Sequence, residues 1–245
     1  MDPIAVMAAA GIRARMEALD MLSNNLANST TGGYKLDREF YSLFQGEEDS
    51  GASSSGSTMP VIEKKWTDFK QGELQPTGNP LDLALNGKGF FAVNGPSGTY
   101  YTRNGAFKLS PTGLLTSSEG YAVRLAGGGF IQSTGRGPIE VNENGFVSQA
   151  GQALGQLEVV DFADPSVLNK VGGSYFQTTD TKARPIQAID TGVEQGKIES
   201  SNVAPAESAV RLVELMRQYE MLQKAVLLSS EMNKKATEEI AKVGA

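Results

Sequence analysis

Four carboxylates are the side chains of this sequence whose types could carry out acid–base chemistry together. They lie at positions expected to be turns or short strands: Asp82, Glu140, Asp161 and Asp164. Glycoside cleavage needs two carboxyl groups held roughly 5 to 10 Å apart around the scissile bond. Nothing in the spacing of the four places two of them at that separation. Solvated carboxylates on strands and turns are therefore the alternative interpretation.

The chain contains no histidine and no cysteine among its 245 residues. Histidine is the commonest general base and transition-metal ligand, so its absence excludes Ser-His-Asp and Cys-His sites. The absence of cysteine excludes disulfides and thiolate chemistry. An enzyme would have to use carboxylates, lysine, tyrosine or serine alone. We therefore predict a non-enzymatic protein with no cofactor and no metal site.

Two glycine-rich stretches have the composition of phosphate-binding loops without their spacing. Asn86-Gly87-Lys88-Gly89-Phe90 lacks the P-loop spacing and its Lys-Ser/Thr end, and it precedes a predicted strand rather than a helix. Gly127-Gly128-Gly129 has no nucleotide-binding fingerprint around it. Both stretches are predicted to be turns.

Charge and hydropathy exclude two further classes of partner. The net charge is −6, whereas nucleic-acid binding usually requires a basic face. No window of about 20 apolar residues exists, so we expect no direct insertion into a membrane. Residues 1–7 lack the basic and apolar regions of a secretory signal, and Arg13 and Arg15 interrupt the stretch that follows. Export, if it occurs, would proceed without a cleaved signal peptide.

The N-terminal segment is predicted to be a helix from about Pro3 to Asn28. Asp2 followed by Pro3 is a helix start signal, and glycine at 32–33 would accept the left-handed conformation of a C-terminal cap. Spacings of three and four residues place a stripe of mostly small residues on one face. As a helix interface we select Ile4, Met7, Gly11, Ala14, Ala18 and Met21.

The C-terminal segment is predicted to be a longer helix, from about Pro205 to Lys242, with two apolar stripes. The interface stripe consists of Leu212, Leu215, Tyr219, Leu222 and Val226. The second stripe consists of Met221, Ala225, Leu228 and Met232. A helix on the surface of its own globule needs only one stripe, so two stripes favour neighbours on two sides. A two-helix hairpin buried against the chain's own core is the alternative.

The middle of the chain has the pattern of β structure. Of 28 glycines, 21 lie between Gly72 and Gly196, and they punctuate short runs with strand periodicity. Leu81, Leu83 and Leu85 would face one side of such a strand. Residues 94–98 are typical of a hairpin loop. Many short strands with frequent glycine turns predict an all-β barrel or sandwich.

The predicted fold class is therefore mixed α and β. Terminal helices would form a coiled-coil-like helical domain around an all-β, barrel or sandwich-like middle domain. The expected boundaries are 1–35 for the N-terminal helix and signature turn, 36–75 for an extended arm with a flexible linker at 46–58, 76–200 for the β-rich domain, and 201–245 for the C-terminal helix packing on the first helix.

Four segments together resemble the flagellar axial proteins, especially the rod proteins of the basal body. They are Ser23-Asn24-Asn25-Leu26-Ala27-Asn28 with Thr31-Gly32-Gly33-Tyr34-Lys35; residues 78–93, GNPLDLALNGKGFFAV; residues 101–107, YTRNGAF; and residues 195–203, QGKIESSNV. One such segment alone would be weak evidence of relationship. The four segments occur in the order and at the spacing of the family, and together they extend over nearly the whole chain.

The resemblance implies assembly residues at the two ends of the chain. These are Asn24, Asn25, Leu26, Ala27, Asn28, Gly33, Tyr34, Lys35, Ser201, Asn202 and Val203. The asparagines also have a physical interpretation, because Asn is a poor helix-interior residue that hydrogen-bonds nearby backbone. They would fix the turn after the first helix, or the register of a helical seam.

The resemblance also implies a mechanism and a location. Rod proteins are exported through the flagellar type III apparatus and polymerise through their terminal helices in the periplasmic basal body. The expected partners are copies of itself and other rod proteins, with P- and L-ring or MS-ring components as possible neighbours. The chain is short, and Arg217-Gln218-Tyr219-Glu220-Met221 replaces the Gln-Arg-Ala-Tyr-Glu often found in the distal rod protein. A proximal rod protein is therefore favoured, with the distal form second.

Two other classes of protein remain open from the residues alone. A secreted β-rich wall hydrolase would need a converging carboxylate pair. A binding module or adhesin would need a rigid apolar pocket in its β domain.

Overall fold

The computed structural model describes residues 3–45, 58–135, 137–178 and 183–243. The chain divides into two compact units. Unit 1 comprises Met1–Ala27, Asp37–Trp66 and Ala204–Ala245, and unit 2 comprises Asn28–Leu36 and Thr67–Val203. The linker expected at 46–58 lies, apart from Thr58, outside the described residues.

Two helices form most of the described part of unit 1: α1 (Pro3–Ala27) and α2 (Pro205–Val243). They pack against each other, with Ala18, Leu22 and Leu215 buried between them. Leu222 approaches Gly11, where an added Cβ atom would lie 3.6 Å from the leucine Cδ1 atom. Since higher numbers on α1 meet lower numbers on α2, the helices run antiparallel.

Most of the predicted arm forms a two-stranded sheet of β1 (Leu36–Gln45) and β2 (Thr58–Asp68). The guanidinium of Arg38 lies 5.8 Å from the centroid of the Trp66 ring, within the range of a cation–π contact. A two-stranded sheet is at best marginally stable alone in water, so its stability depends on further packing.

Unit 2 contains the remaining strands. In chain order they are β3 (Leu74–Pro76), β4 (Leu83–Asn86), β5 (Phe90–Gly95), β6 (Gly98–Thr102), β7 (Lys108–Leu109), β8 (Leu115–Thr116), β9 (Ala122–Val123), β10 (Ile139–Val141), β11 (Phe146–Gln149), β12 (Gln152–Gln156), β13 (Val159–Asp161), β14 (Leu168–Gly172), β15 (Tyr175–Thr178), β16 (Ile186–Gln187), β17 (Gly192–Gln195) and β18 (Lys197–Glu199). A short 3₁₀ turn, Pro165–Val167, precedes β14.

The strands of unit 2 form one large and three small antiparallel sheets. The largest has the order β14-β15-β6-β5-β9-β8-β7, with β13 also pairing with β5 and β16 with β13. The others are β10-β11-β12, β17-β4 and β18-β3. Within the part of the chain that is described, β14 and β7 are not paired with each other, so the large sheet does not close into a barrel.

Two apolar clusters fill unit 2. The first is centred on fully buried residues of β4, β5 and β9, including Leu85, Phe91 and Val123. The second consists largely of aromatic rings, among them Phe90 and Phe176, whose centroids lie 5.9 Å apart in an edge-on arrangement. Such aromatic pairs stabilise a core beyond the area that they bury.

Strand β4 differs from its predicted alternation. Leu83 and Leu85 are buried as expected, but Asp82 and Ala84 on the opposite side are buried as well. Asn86, on the same side as Asp82 and Ala84, is exposed. The strand is covered on both faces, which a period-two pattern of a half-exposed strand does not predict.

The observed class is mixed: an N-terminal helix, a β-rich middle and a C-terminal helix. This confirms the class predicted from the sequence at that level. Across the described residues, neither helix combines the length and the hydropathy that crossing a membrane demands.

Candidate functional site

The segment after α1, residues 28–36, carries much of the predicted assembly signature, and we call it the signature loop. The loop belongs to unit 2. It opens with a turn in which the Thr31 N–H donates to the Asn28 carbonyl over 3.1 Å. Tyr34 and Lys35, near its end, are fully buried. A fully buried lysine is rare unless its charge is paired.

Gly33 is the tightest point of the loop. Its φ is +66°, a conformation that only glycine adopts without cost, and its N–H donates to the Glu199 carbonyl over 2.7 Å. A Cβ atom here would lie 2.2 Å from the backbone nitrogen of Asn104. The sequence predicted a helix cap at this glycine. The helix ends earlier, at Ala27, and Gly33 instead permits a close approach of two backbones.

The side chain of Lys35, from the signature loop, contacts two other buried charged side chains. We call the three together the buried triad: Lys35, Arg103 and Glu199. The Lys35 Nζ atom lies 2.5 Å from Glu199 Oε1, and Arg103 Nη1 lies 3.1 Å from Glu199 Oε2. One carboxylate thus accepts from both cations. Each member is placed by a strand end, because Lys35 precedes β1, Arg103 follows β6 and Glu199 ends β18.

Backbone groups supply further hydrogen bonds to the triad, although the buried Nε atom of Arg103 has no hydrogen-bond partner among the described residues. Lys35 Nζ donates to the Lys70 carbonyl over 2.7 Å, and the Gly72 N–H donates to Glu199 Oε1 over 2.9 Å. Arg103 Nη2 donates to the carbonyl of Gly87 over 2.6 Å. Buried charges are tolerated only when paired and hydrogen-bonded in this way.

Burial dominates the electrostatics of the two cations. Desolvation lowers the pKa of Lys35, and the Glu199 carboxylate opposes that shift by attraction and a hydrogen bond. Desolvation likewise lowers the pKa of Arg103, again opposed by Glu199. The Glu199 carboxylate is thus the main group that opposes the effect of burial on the pKa of both cations.

Asn202 and Lys170 hold the signature loop from outside the triad. Asn202 accepts from the Leu36 N–H over 2.8 Å, and its Nδ2 donates to the Asp68 carbonyl over 2.7 Å. Lys170 Nζ donates to the Lys35 carbonyl over 2.8 Å and lies 4.1 Å from the centroid of the Tyr34 ring. The loop is thus connected to residues that lie more than 130 positions away in the sequence.

Asn25 makes comparable hydrogen bonds to the backbone within unit 1. Its Nδ2 donates to the Asp37 carbonyl over 2.8 Å, and its Oδ1 accepts from the Asp37 N–H over 3.0 Å. The side chain is fully buried, whereas that of Asn24 is exposed. Asn25 therefore ties the last turns of α1 to the start of β1.

The remaining predicted residues lie as follows. Ser201 Oγ accepts from the N–H of Val203, which is buried. Leu26 is half-buried, and Ala27 is exposed. In the helix seam Ala14 is buried, while the half-buried members are Gly11, Met21, Leu212, Tyr219, Leu222 and Val226. The side chains of Ile4 and Met7 lie outside the described part of the chain.

Glu199 and Arg103 were not selected from the sequence as site residues. Both lie in segments that carry the family resemblance, residues 195–203 and 101–107. A single charged residue at the end of a short strand usually faces solvent, so its type gives no signal of burial. The pairing becomes visible only when the two strands and the signature loop are brought together.

Two of the four carboxylates considered for catalysis, Asp82 and Asp164, hydrogen-bond to groups in nearby turns. Asp82 accepts from Thr77 Oγ1 over 2.7 Å and from Asn79 Nδ2 over 3.0 Å. Asp164 accepts from the Ser166 N–H over 2.9 Å and caps the 3₁₀ turn. Within the described residues, no group of three or more acidic side chains is arranged to hold a metal ion.

Comparisons with known proteins identify the family. A family model described as flagellar hook protein FlgE/F/G D1 domain matches residues 84–149, and one described as flagellar basal body rod FlgEFG protein C-terminal matches residues 194–239. A flagellar basal-body rod protein FlgF from Caulobacter vibrioides is 34% identical over 228 residues, which cover 92% of each chain. The chain belongs to the flagellar basal-body rod protein family.

Rod proteins named FlgG are also similar to this chain. One from Buchnera aphidicola subsp. Schizaphis graminum is 31% identical over 93% of this chain and 96% of its own length. One from Bacillus subtilis is 29% identical over 91% and 93% respectively. Membership of the rod family makes the chain a non-enzymatic structural subunit of the flagellar basal body.

Proposed function

We propose that this chain polymerises, through α1 and α2, with copies of itself and with other rod proteins into the rod that transmits torque to hook and filament. The observation that carries this proposal is the second stripe of α2. Met221, Leu228 and Met232 expose 61%, 60% and 71% of their surfaces. Three large apolar side chains on one face of a helix are costly to leave in water, and their burial would favour association.

The two helix faces support different contacts. Leu215 and its half-buried neighbours face α1, so they are engaged within the chain. The exposed stripe lies on another side of α2 and is available to a neighbouring subunit. We propose that the helices then form a coiled-coil-like domain with those of other subunits, while unit 2 packs as a sandwich-like body. Heterologous contacts that do not close into a ring generate such helical filaments.

The proposal includes a route and a location. The chain would be exported by the flagellar type III system without a cleaved signal peptide and would assemble in the periplasmic space. The P- and L-ring or MS-ring components would be its neighbours there. The proximal rod is the position we favour, since α2 carries Arg217-Gln218-Tyr219-Glu220-Met221 in place of the Gln-Arg-Ala-Tyr-Glu often found in the distal rod protein.

Deletion of the gene followed by electron microscopy of isolated basal bodies tests the position in the rod. A rod that is missing or arrested near its base, with no hook, is the expected result for a proximal subunit. A rod that is nearly full length but lacks a hook would assign the chain to the distal rod instead. Intact motile flagella would overturn both assignments.

Complementation of the deletion tests the exposed stripe. The double variant Leu228→Asp and Met232→Asp places two charges on the stripe and is expected to abolish the rod and motility. The matched control, Gln223→Asp and Ser230→Asp, places the same charges on exposed polar positions of the same helix and should restore motility. Equal motility of the two strains would contradict assembly through this face.

A further inference from the structure

Methionine side chains hold the most readily oxidised atoms of this chain. The sequence has eight methionines and no cysteine. Where thiols are absent, the thioether sulfur of methionine is the side-chain atom that a two-electron oxidant such as hydrogen peroxide attacks first. Peroxide reaches that sulfur from solvent, so the fold decides which of the methionines react.

The two most exposed methionines of the described residues lie in the second stripe of α2. Met221 exposes 61% of its surface and Met232 exposes 71%, whereas Met21 on α1 is half-buried. On an α-helix, the separation from 221 to 232 places two side chains within about 20° of each other and roughly 16 Å apart along the axis. Leu228 lies between them and is 60% exposed, so the two thioethers belong to one continuous apolar face.

Met216 separates the effect of exposure from the effect of position. It lies on the same helix and exposes 50% of its surface. Its offset from Met221 turns it about 140° away from the stripe. It is therefore open to oxidants without being part of the stripe.

Oxidation by hydrogen peroxide changes a thioether in one balanced step. The sulfur lone pair attacks one oxygen of the peroxide, the O–O bond breaks, and a bond from sulfur to oxygen forms. The sulfide is oxidised by two electrons to the sulfoxide. The departing hydroxide takes the proton of the transferred hydroxyl group, so the peroxide is reduced to water. The product is polar and chiral where the side chain was apolar.

We propose that Met221 and Met232 are oxidation sites that control the assembly of the free chain. The inference rests on the proposed function, because it requires a neighbouring subunit to cover the stripe. A sulfoxide oxygen buried there without a hydrogen-bond donor weakens association by about tenfold to a hundredfold. Oxidised subunits are therefore excluded from the rod, whereas assembled subunits keep both sulfur atoms covered.

Peptide mass spectrometry of the purified full-length chain, sampled during exposure to hydrogen peroxide, tests the chemistry. Met221 and Met232 should oxidise several-fold faster than Met21 in the folded chain. In urea the three rates should become similar, because burial no longer protects Met21. Equal rates at Met21 and at the stripe in the folded chain would overturn the assignment of the sites.

Complementation of the deletion strain tests the consequence for assembly. The double variant Met221→Gln and Met232→Gln gives each position a polar side chain of similar length, as the sulfoxide would, and should abolish most rods and motility. The double variant Met221→Leu and Met232→Leu stays apolar and should retain motility. Met216→Gln, away from the stripe, is the control and should also retain it. Because Met, Gln and Leu have similar helix propensities, these differences report polarity and not helix formation.

Two results of the complementation would overturn the proposal. One is full motility of the double glutamine strain, and the other is an equal loss of motility in the double leucine strain. The charged variant Leu228→Asp and Met232→Asp separates this failure from that of the proposed function. If the charged variant abolishes the rod and the glutamine variant does not, the stripe is an assembly face and only the oxidation inference fails. If neither variant affects motility, the assembly face fails as well.

Discussion

The Nζ atom of Lys35 lies 2.5 Å from Oε1 of Glu199, and both side chains are fully buried although 164 positions separate them in the sequence. This ion pair joins the segment after the first helix to the segment before the last one. Because Arg103 shares the same carboxylate, the loss of one charge affects two partners.

Replacing Glu199 by glutamine should destabilise unit 2 by about 3 to 5 kcal/mol, because two buried cations lose their only carboxylate within the triad. The measurement is the free energy of unfolding derived from hydrogen exchange of the most protected amides of β5. Glu194→Gln is the control, since the side chains of Glu194 and Lys197 are both partly exposed and such pairs contribute at most about 1 kcal/mol. A cost below about 1 kcal/mol for Glu199→Gln would show that the triad is not tightly coupled.

The pKa of Lys35 should lie below its ordinary value of 10.5, since burial disfavours the charged form. Glu199→Gln should lower this pKa further by removing the attraction that opposes burial. Because the pKa of Lys35 is lower in the folded chain than in the unfolded chain, the unfolded chain binds the lysine proton more tightly. The stability of unit 2 should therefore rise as the pH increases from the folded pKa towards 10.5. A ¹⁵N NMR titration of the lysine Nζ atoms measures the shift, and a pKa above 10.5 would contradict it.

Gly33→Ala should cost about 2 to 4 kcal/mol, because the new Cβ atom adds a backbone clash to an unfavourable positive φ. Gly128→Ala separates these two effects. Its φ is +97°, and nothing lies within 4 Å of an added Cβ, so only conformational strain remains. Chemical denaturation of both variants should give the larger loss at Gly33. Equal losses would mean that the loop moves freely away from Asn104.

Leu215→Ala should weaken the pairing of α1 and α2 by about 2 to 4 kcal/mol, because Leu215 is buried against Ala18 and Leu22. Leu228→Ala makes the same chemical change on the exposed side of the helix and should alter the stability of the free chain by less than about 0.5 kcal/mol. Hydrogen exchange of the α1 amides in the two variants measures the difference between these effects. Similar effects of the two substitutions would argue against the seam as described.

The pKa of Glu194 should lie below its ordinary value of 4.5, since Lys197 and then Asn86 hydrogen-bond to its charged form. The associated stabilisation is present above the ordinary pKa and is lost as the pH falls through the lowered one. Lys197→Met should raise this pKa more than Asn86→Ala does. Carboxyl ¹³C NMR titration measures both, and the reverse order would assign the main effect to the amide.

Local signals in the sequence predicted several elements correctly. Asp2 and Pro3 indicated the start of α1, and Pro205 indicated the start of α2. The loop at residues 94–98 indicated the hairpin of β5 and β6, which pair from Phe91–Thr102 to Gly95–Gly98. Each of these depends on residues close in the chain, where propensity and turn chemistry decide the backbone.

The faces of β4 and the role of Gly33 were predicted less well. The alternation in residues 81–86 described one buried face, but neighbouring segments cover the strand on both sides. Gly33 has the conformation typical of a helix cap, yet the contact that requires it is the backbone at Arg103 and Asn104. Both depend on partners that are distant in sequence, which no local pattern encodes.

By itself, the sequence determined the mixed class of the fold, the two terminal helices and the family, because periodicity, caps and ordered motifs are properties of the linear chain. It also placed Lys35 and Asn202 among the predicted assembly residues. Only the tertiary structure decided that Lys35 is buried against Glu199 and Arg103. The physical reason is that the charge of a side chain is visible in the sequence, whereas its desolvation and its partner depend on how distant strand ends meet.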